Sequence, residues 1–249
     1  PALAASIQPR YLVFDASGDL LFTDRGQVRK ISGGVVVTVA GNGSTEFSGD
    51  GGPALDASIG STPIIAAEPG GSILIAQADH FRIRRVTLNG VIQTIAGTGI
   101  NAASGDGGPA LTAAIGQPRS LVVASDGTIY FWASVSGPNR PGVRRIRLDG
   151  VIESHSLYFR TLSDLAFDQD ENLFAIANEV YQYVGSAWVK KADIVARAIS
   201  TSSSGDLLSL VYFDNQVFRV DQGSLTLVAG VGRPSAHGDG GFAALAYVG

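Results

Sequence analysis

Short apolar runs with a period of two recur along this chain, separated by turns that contain glycine or aspartate. The first set consists of the runs Tyr11–Phe14, Asp19–Phe22, Gln27–Ile31 and Val36–Gly41. Alternation of apolar and polar residues over roughly four to eight positions is typical of a half-buried β-strand. Each run therefore predicts one strand, and each set of runs predicts a four-stranded antiparallel unit.

The same order of runs can be followed five times, although the last two copies are weaker. Equivalent turns between the first two runs lie at Gly18, Gly71, Gly127, Glu171 and Gly205. Units of about 40–50 residues with four short strands are typical of propeller blades, whereas a parallel solenoid needs fewer strands per repeat. The repeats therefore favour a β-propeller.

We predict an all-β fold, a β-propeller of four-stranded antiparallel blades that forms a single domain over residues 1–249. Five repeats are visible, and a six-bladed ring with a blade outside this chain is the alternative. The innermost strands are expected to carry Val13, Ile65, Val122, Ala166 and Ile199.

A second repeated feature is the segment Ser48–Leu55, whose sequence Ser-Gly-Asp-Gly-Gly-Pro-Ala-Leu returns at residues 104–111 and, degraded, at 238–243. The segment Pro1–Leu3 opens the chain in the same phase, which is compatible with excision from a longer polypeptide. Carboxylates in such glycine-rich turns could bind a cation such as calcium. A short aspartate can instead accept hydrogen bonds from the backbone N–H groups that follow it, ahead of a single helical turn. We favour this structural role for Asp50, Asp106 and Asp239, and predict no metal and no cofactor.

The Gly-Asp-Gly-Gly-Pro-Ala-Leu segments, the Pro-Arg pairs, Arg82–Val86 and Ile95–Gly99 together resemble bacterial NHL-repeat proteins. The resemblance is strongest over residues 1–151, fades over 152–195 and partly returns afterwards. It implies a propeller, usually six-bladed, with a role in recognition, while a few relatives are lyases, hydrolases or lactonases.

Composition narrows the range of partners. Eighteen basic and 22 acidic residues give a net charge of −4, with no basic run that could neutralise a string of phosphates, so nucleic acid is not expected. Cysteine is absent, which excludes disulfides and thiolate chemistry. No apolar stretch is long enough to predict membrane insertion. We expect an extracellular or periplasmic protein.

Candidate binding residues lie where the first strand of a blade begins. Arg10 and Arg119 each follow a proline directly before such a strand, so they could bind an anion at the mouth of a central channel. Asp164 holds the corresponding place in the fourth copy, and an Arg–Asp pair is the alternative. We expect the third-strand arginines, such as Arg84 and Arg144, to coat the solvent side or brace neighbouring blades.

The connections between second and third strands should open on the same face as the channel mouth. The longest of them, residues 133–142, is an insertion, and inserted loops on rigid scaffolds often carry binding function. Ligand-binding candidates on these connections are Trp132, Asn139, Arg140, Asn178 and Tyr212. Further side chains there are Asp24, Asp79, His80 and Asp214, of which Asp24 and Asp79 occupy a turn position that is mainly structural in the family.

Catalytic motifs are sparse. His80, His155 and His237 lie on different repeats and show no spacing typical of a metal site, so each is expected to be a surface or turn residue. The main prediction is a binding or scaffolding module, not an enzyme, that recognises a protein, a glycan or a small anionic ligand. The alternative is a cation-dependent propeller hydrolase, lactonase or lyase that acts at the central channel.

Overall fold

The computed structural model describes residues 2–135, 142–155, 162–192, 196–201, 206–211, 216–221 and 224–230. The chain divides into two compact units, Pro1–His155 and Ser156–Gly249. Within the described residues, every sheet has four antiparallel strands in sequence order, so each is a propeller blade. The predicted all-β fold of five four-stranded blades is confirmed.

Unit one contains three blades. Blade one consists of β1 (Leu12–Phe14), β2 (Leu20–Asp24), β3 (Gln27–Ser32) and β4 (Val35–Ala40). Blade two consists of β5 (Ile64–Ala67), β6 (Ile73–Gln77), β7 (Arg82–Val86) and β8 (Ile92–Ala96). Blade three consists of β9 (Gln117–Val123), β10 (Ile129–Ser134), β11 (Val143–Ile146) and β12 (Ile152–His155). Three 3₁₀ turns complete the unit: η1 (Ala2–Ala4), η2 (Ala78–His80) and η3 (Ala110–Thr112).

Unit two contains the other two blades. Blade four consists of β13 (Asp164–Phe167), β14 (Leu173–Ala177), β15 (Glu179–Val184) and β16 (Ala187–Ala192). Blade five consists of β17 (Ala196–Thr201), β18 (Leu207–Val211), β19 (Gln216–Asp221) and β20 (Ser224–Ala229). Val13, Ile65, Val122, Ala166 and Ile199 all lie on the first strands of their blades, as expected.

The core of unit one lies between its blades, because alternate residues of each strand face opposite neighbours. Leu21, Ile65 and Ile75 belong to the buried cluster between blades one and two. Leu74 and Phe131 belong to the cluster between blades two and three. Among the described residues, no helix is long and apolar enough to span a bilayer.

Each Gly-Asp-Gly-Gly segment lies in the long connection that leads into a blade, which we call the insert, and it bonds to the third strand of that blade. Asp50 accepts a hydrogen bond from Arg84 Nε at 2.8 Å, and Asp106 accepts one from Arg144 Nη2 at 2.6 Å. The structural role of both aspartates is thus supported, but the expected partner was wrong, since it is an arginine and not the aspartate's own backbone. The expectation that these arginines coat the solvent side was also wrong: Arg84 is 0% and Arg144 is 3% exposed.

The turn that was expected to follow each segment is present as η3 in the second copy. A register shift between Ile83 and Arg84 explains why two successive residues of β7 are both buried. Strict alternation would have placed one of them in solvent. Asp239 and His237 lie outside the described residues.

Candidate functional site

In unit one, each second strand ends at the edge of the sheet where the first strand begins. In blade three Ser134 pairs with Gln117, and in blade one the Arg10 N–H donates to the Thr23 carbonyl at 3.1 Å. We call this the entry edge. Its position agrees with the expectation that first-strand entries and second-to-third connections share one face.

The two entry arginines are both exposed on this edge. Arg119 donates from Nη2 to Gln117 Oε1 at 2.9 Å and from Nε to Ser134 Oγ at 3.1 Å, so its guanidinium is held by its own blade. Arg10 lies two residues before β1, and its side chain has no partner among the described residues. Neither arginine pairs with a carboxylate of unit one, which leaves both able to meet an anion.

Trp132 is not where the sequence analysis placed it. Strand β10 runs on through Ser134, so Trp132 lies inside the strand, and its side chain is only 4% exposed. It therefore cannot offer a stacking surface to a ligand on the face of the protein. Asn139, Arg140, Tyr212 and Asp214 lie outside the described residues.

Two candidates belong to unit two. Asp164 begins β13 and is half-buried, and its carboxylate accepts the backbone N–H groups of Leu165 at 3.0 Å and Ile199 at 3.3 Å. The bond from Ile199 links blade four to blade five. Asn178 occupies the exposed turn between β14 and β15 with a φ of 69°, a conformation that asparagine tolerates better than most residues.

The most polar part of the entry edge in unit one is the turn between β6 and β7. It consists of η2 and ends at Phe81, whose φ of 54° places a bulky residue in the left-handed region. Such strain persists only where surrounding contacts impose it. Here Arg82 imposes it by donating to the His80 carbonyl at 3.1 Å and to the Thr98 carbonyl at 3.1 Å, while its guanidinium lies 4.2 Å from the Phe47 ring centroid.

Three polar side chains at the end of β6 and in this turn lie next to the Cα of Gly60, which is four residues before β5. A methyl group on Gly60 would lie 3.5 Å from His80 Cδ2, 3.7 Å from Asp79 Oδ2 and 3.7 Å from Gln77 Nε2. The φ of Gly60 is +82°, so the position requires glycine. Ser61 Oγ adds a hydrogen bond to Asp79 Oδ2 at 2.7 Å. We call these five residues the Gly60 corner.

The hydrogen bonding of His80 fixes its tautomer. Its Nε2 lies 2.8 Å from the carbonyl oxygen of Thr45. A carbonyl can only accept, so Nε2 carries a proton, and in the neutral form of the ring Nδ1 is the nitrogen with the free lone pair. Among the described residues, Nδ1 has no partner. Strand β9, which carries Arg119, packs against η2.

Gln77 is unusual because it is polar, 1% exposed and without partners. Neither its Oε1 nor its Nε2 forms a hydrogen bond to any described residue. Buried amides are nearly always satisfied, and each exception calls for an explanation such as a ligand. The sequence analysis missed Gln77. The available signal was a single amide at the end of the otherwise apolar run Ile73–Gln77.

Asp24 and His155 are further ionisable groups of unit one. Asp24, at the position of Gln77 in blade one, accepts the Gln8 N–H at 3.1 Å and Arg29 at 3.2 Å, which confirms its expected structural role. Burial lowers the pKa of His155, and the nearby Arg145 lowers it further. Within the described part of the chain, no three His, Asp or Glu side chains are close enough to hold a metal ion.

Comparisons with known proteins give the fold but no family. No protein-family model and no curated protein sequence matches this chain. Virginiamycin B lyase from Staphylococcus aureus has a similar structure, with a TM-score of 0.60 and 16% identity over 90% of this chain and 70% of that one. A catalytically inactive His-to-Ala variant of that lyase, bound to quinupristin, matches with a TM-score of 0.60 and 14% identity over 89% and 69%. A gluconolactonase from Xanthomonas campestris matches with a TM-score of 0.63 and 15% identity over 89% and 75%.

These neighbours correct the functional prediction. The chain was expected to be a binding or scaffolding module, but the propellers of similar structure named above are lyases and a lactonase. The alternative, a propeller hydrolase or lyase, agrees better with these neighbours. Sequence reasoning placed it second because the chain contains no short catalytic motif. The NHL assignment is not confirmed by any of these matches.

Proposed function

We propose that this chain is a hydrolase or lyase that acts on an ester, that the Gly60 corner is part of its reactive centre, and that His80 is the general base. The observation that carries the proposal is the Nδ1 of His80, which has no partner among the described residues while Nε2 donates to the Thr45 carbonyl. The enzymatic neighbours support the reaction class, and the lactonase among them supports an ester substrate, since a lactone is a cyclic ester.

The chemistry available to this corner is proton transfer. In hydrolysis, Nδ1 takes a proton from water while the water oxygen bonds to the carbonyl carbon, and the proton returns to the alkoxide when the carbon–oxygen bond breaks. In elimination, Nδ1 takes a proton from the carbon next to the bond that breaks, a carbon–carbon double bond forms, and the carboxylate leaves. In either case the buried Gln77 amide is a polar group beside Gly60 and His80, and Arg119 supplies positive charge nearby.

A bound cation is not part of the proposal. The described residues provide no cluster of three carboxylate or imidazole ligands, so they do not fit such an ion, and no step is assigned to one. The NHL relationship is likewise retained only as a proposal, carried by the Gly-Asp-Gly-Gly segments and the Arg-x-Arg strands.

The test is turnover of a panel of lactones and cyclic esters in ¹⁸O-labelled water, followed by mass spectrometry. Hydrolysis places ¹⁸O in the product acid, whereas elimination leaves the product unlabelled and conjugated. His80→Ala should lower kcat/KM by roughly 10²–10⁴-fold, and added imidazole should restore part of the rate.

Asp149→Asn, in an exposed turn of blade three, is the matched control and should leave the rate unchanged. Full activity of His80→Ala, or turnover of no ester by the folded wild type, would contradict the proposal.

A further inference from the structure

Blade one carries an arginine at the same strand position as the two arginines that bind the Gly-Asp-Gly-Gly segments. Arg29 pairs with Thr38 across β3 and β4, and Arg84 pairs with Thr94 across β7 and β8. Both arginines directly follow a register shift. Arg144 holds the corresponding place in β11. The three positions are therefore equivalent by register and not only by sequence.

In blade two the arginine and the threonine together hold one carboxylate. Arg84 Nε and Nη2 lie 2.8 and 2.6 Å from Asp50 Oδ1, and Thr94 Oγ1 donates to Asp50 Oδ2 at 2.6 Å. In blade three Arg144 binds Asp106 through the same two nitrogens. The Nε and Nη2 edge of the arginine is thus the carboxylate-binding edge.

The backbone around each carboxylate is fixed in the same way. The Ala54 N–H, four positions after Asp50, donates to the Gly90 carbonyl at 2.7 Å, and the Ala110 N–H donates to the Gly150 carbonyl at 2.9 Å. In blade one the matching bond exists, since the Ala2 N–H donates to the Gly34 carbonyl at 2.8 Å. The backbone bond beside the carboxylate site is therefore the same in all three blades.

In blade one, no described carboxylate binds the Nε atom of the equivalent arginine, Arg29. Arg29 uses Nη1 for Asp24 at 3.2 Å, and its Nε is buried without a hydrogen-bond partner. The Thr38 hydroxyl also has no partner among the described residues. The side chain of Arg29 is 22% exposed, against 0% for Arg84. The contact with Asp24 leaves the carboxylate-binding edge of Arg29 available.

We propose that Arg29 and Thr38 form a binding site for the carboxylate of an Asp-Gly-Gly segment, as Arg84 and Thr94 bind Asp50 in blade two. The site is specific for an acidic, glycine-rich segment. The carboxylate must reach Arg29 Nε while the two glycines after it bond to the backbone of β4, as Gly51 and Gly52 bond to Ile92 in blade two. Val36 lies at the position of Ile92, and no glycine pair among the described residues bonds to it. The inference is independent of the proposed enzymatic activity.

The experiment is an extension of the full chain by Ser-Gly-Asp-Gly-Gly before Pro1, compared with the matched extension Ser-Gly-Asn-Gly-Gly. The aspartate form should melt roughly 3–10 °C higher than the asparagine form, because only a carboxylate makes charge-assisted bonds to the guanidinium. The difference should disappear in Arg29→Lys, which keeps the charge but loses Nε–H, and should shrink in Thr38→Val.

A second measurement does not depend on stability. With ¹³C-labelled aspartate in the extension, its carboxyl resonance should shift from the value in the free peptide, and Arg29→Lys should reverse that shift. Equal melting temperatures for the two extensions, together with a peptide-like carboxyl resonance, would overturn the proposal.

Discussion

Replacing Gln77 by methionine separates a structural role from a functional one. Methionine has a similar volume and an unbranched shape, so the packing between blades one and two is kept while both polar atoms are removed. Gln77 is 1% exposed, and neither of its amide atoms has a partner among the described residues, so folding desolvates the amide without compensation.

The magnitude follows from that desolvation. Leaving a buried polar group unsatisfied costs about 1–3 kcal/mol, and removing it should return a similar amount. For a chain of this size the melting temperature should rise by roughly 2–4 °C for each kcal/mol. Calorimetry and urea unfolding measure the gain. In the same protein kcat/KM for the ester substrate should fall, because the proposed reactive centre places this amide beside His80.

The opposite result would refute the reasoning. If Gln77→Met destabilises the protein and leaves turnover intact, the amide serves the fold, and its role in the Gly60 corner is lost. Gln117→Met is the matched control, since that amide already accepts a hydrogen bond from Arg119 at 2.9 Å. It should bring no gain in stability.

Three further predictions concern the same unit. Arg84→Lys and Arg144→Lys should each destabilise the protein by about 2–4 kcal/mol in urea unfolding, since each leaves a buried network incomplete, but only Arg84→Lys should also lower activity. The Lys30 ammonium holds the pKa of Asp15 below its usual 3.8, so Asp15 stabilises the fold above that pH and loses its effect as the pH falls further. Urea midpoints of wild type and Asp15→Asn should therefore differ at pH 7 and converge as the pH falls well below 3.8. Gly97→Ala should reduce both melting temperature and turnover, because its methyl group would collide with the backbone of the turn that follows η2.

The blades could be predicted because the alternation that marks a strand is visible in the sequence of that strand alone. Period-two alternation and the glycine turns are local, and they placed Val13, Ile65 and Ala166 on first strands without any knowledge of the partners. Contacts between residues that are far apart in the sequence cannot be predicted from a local pattern. The partner of Asp50 lies 34 residues further along the chain, and only the register of β7 shows which of three neighbouring arginines it is.

The candidate site was predicted in part for the same reason. Its face was expected correctly, but Trp132 was assigned to a connection because strand β10 is longer than its counterparts. Gln77 was overlooked, since a lone amide at the end of an apolar run carries meaning only once its burial is known. The tautomer of His80 also depends on a contact, with Thr45, that joins an insert to a turn in the next blade.

The repeated insert connects the stability of unit one to its chemistry. The segment between β4 and β5 carries Thr45 near its beginning and Gly60 at its end, and Arg84 donates to the carbonyls of Ser48 and Ser58 at 3.0 Å each. The buried guanidinium of Arg84 therefore holds both ends of the insert. One end carries the Thr45 carbonyl, which accepts from His80 Nε2, and the other carries Gly60, which leaves space beside the His80 ring. Arg144 holds the next insert through the same bonds, to the carbonyls of Ser104 and Ala114. The arginine therefore supports the fold in both blades, and in blade two it also positions the histidine that we propose as the base.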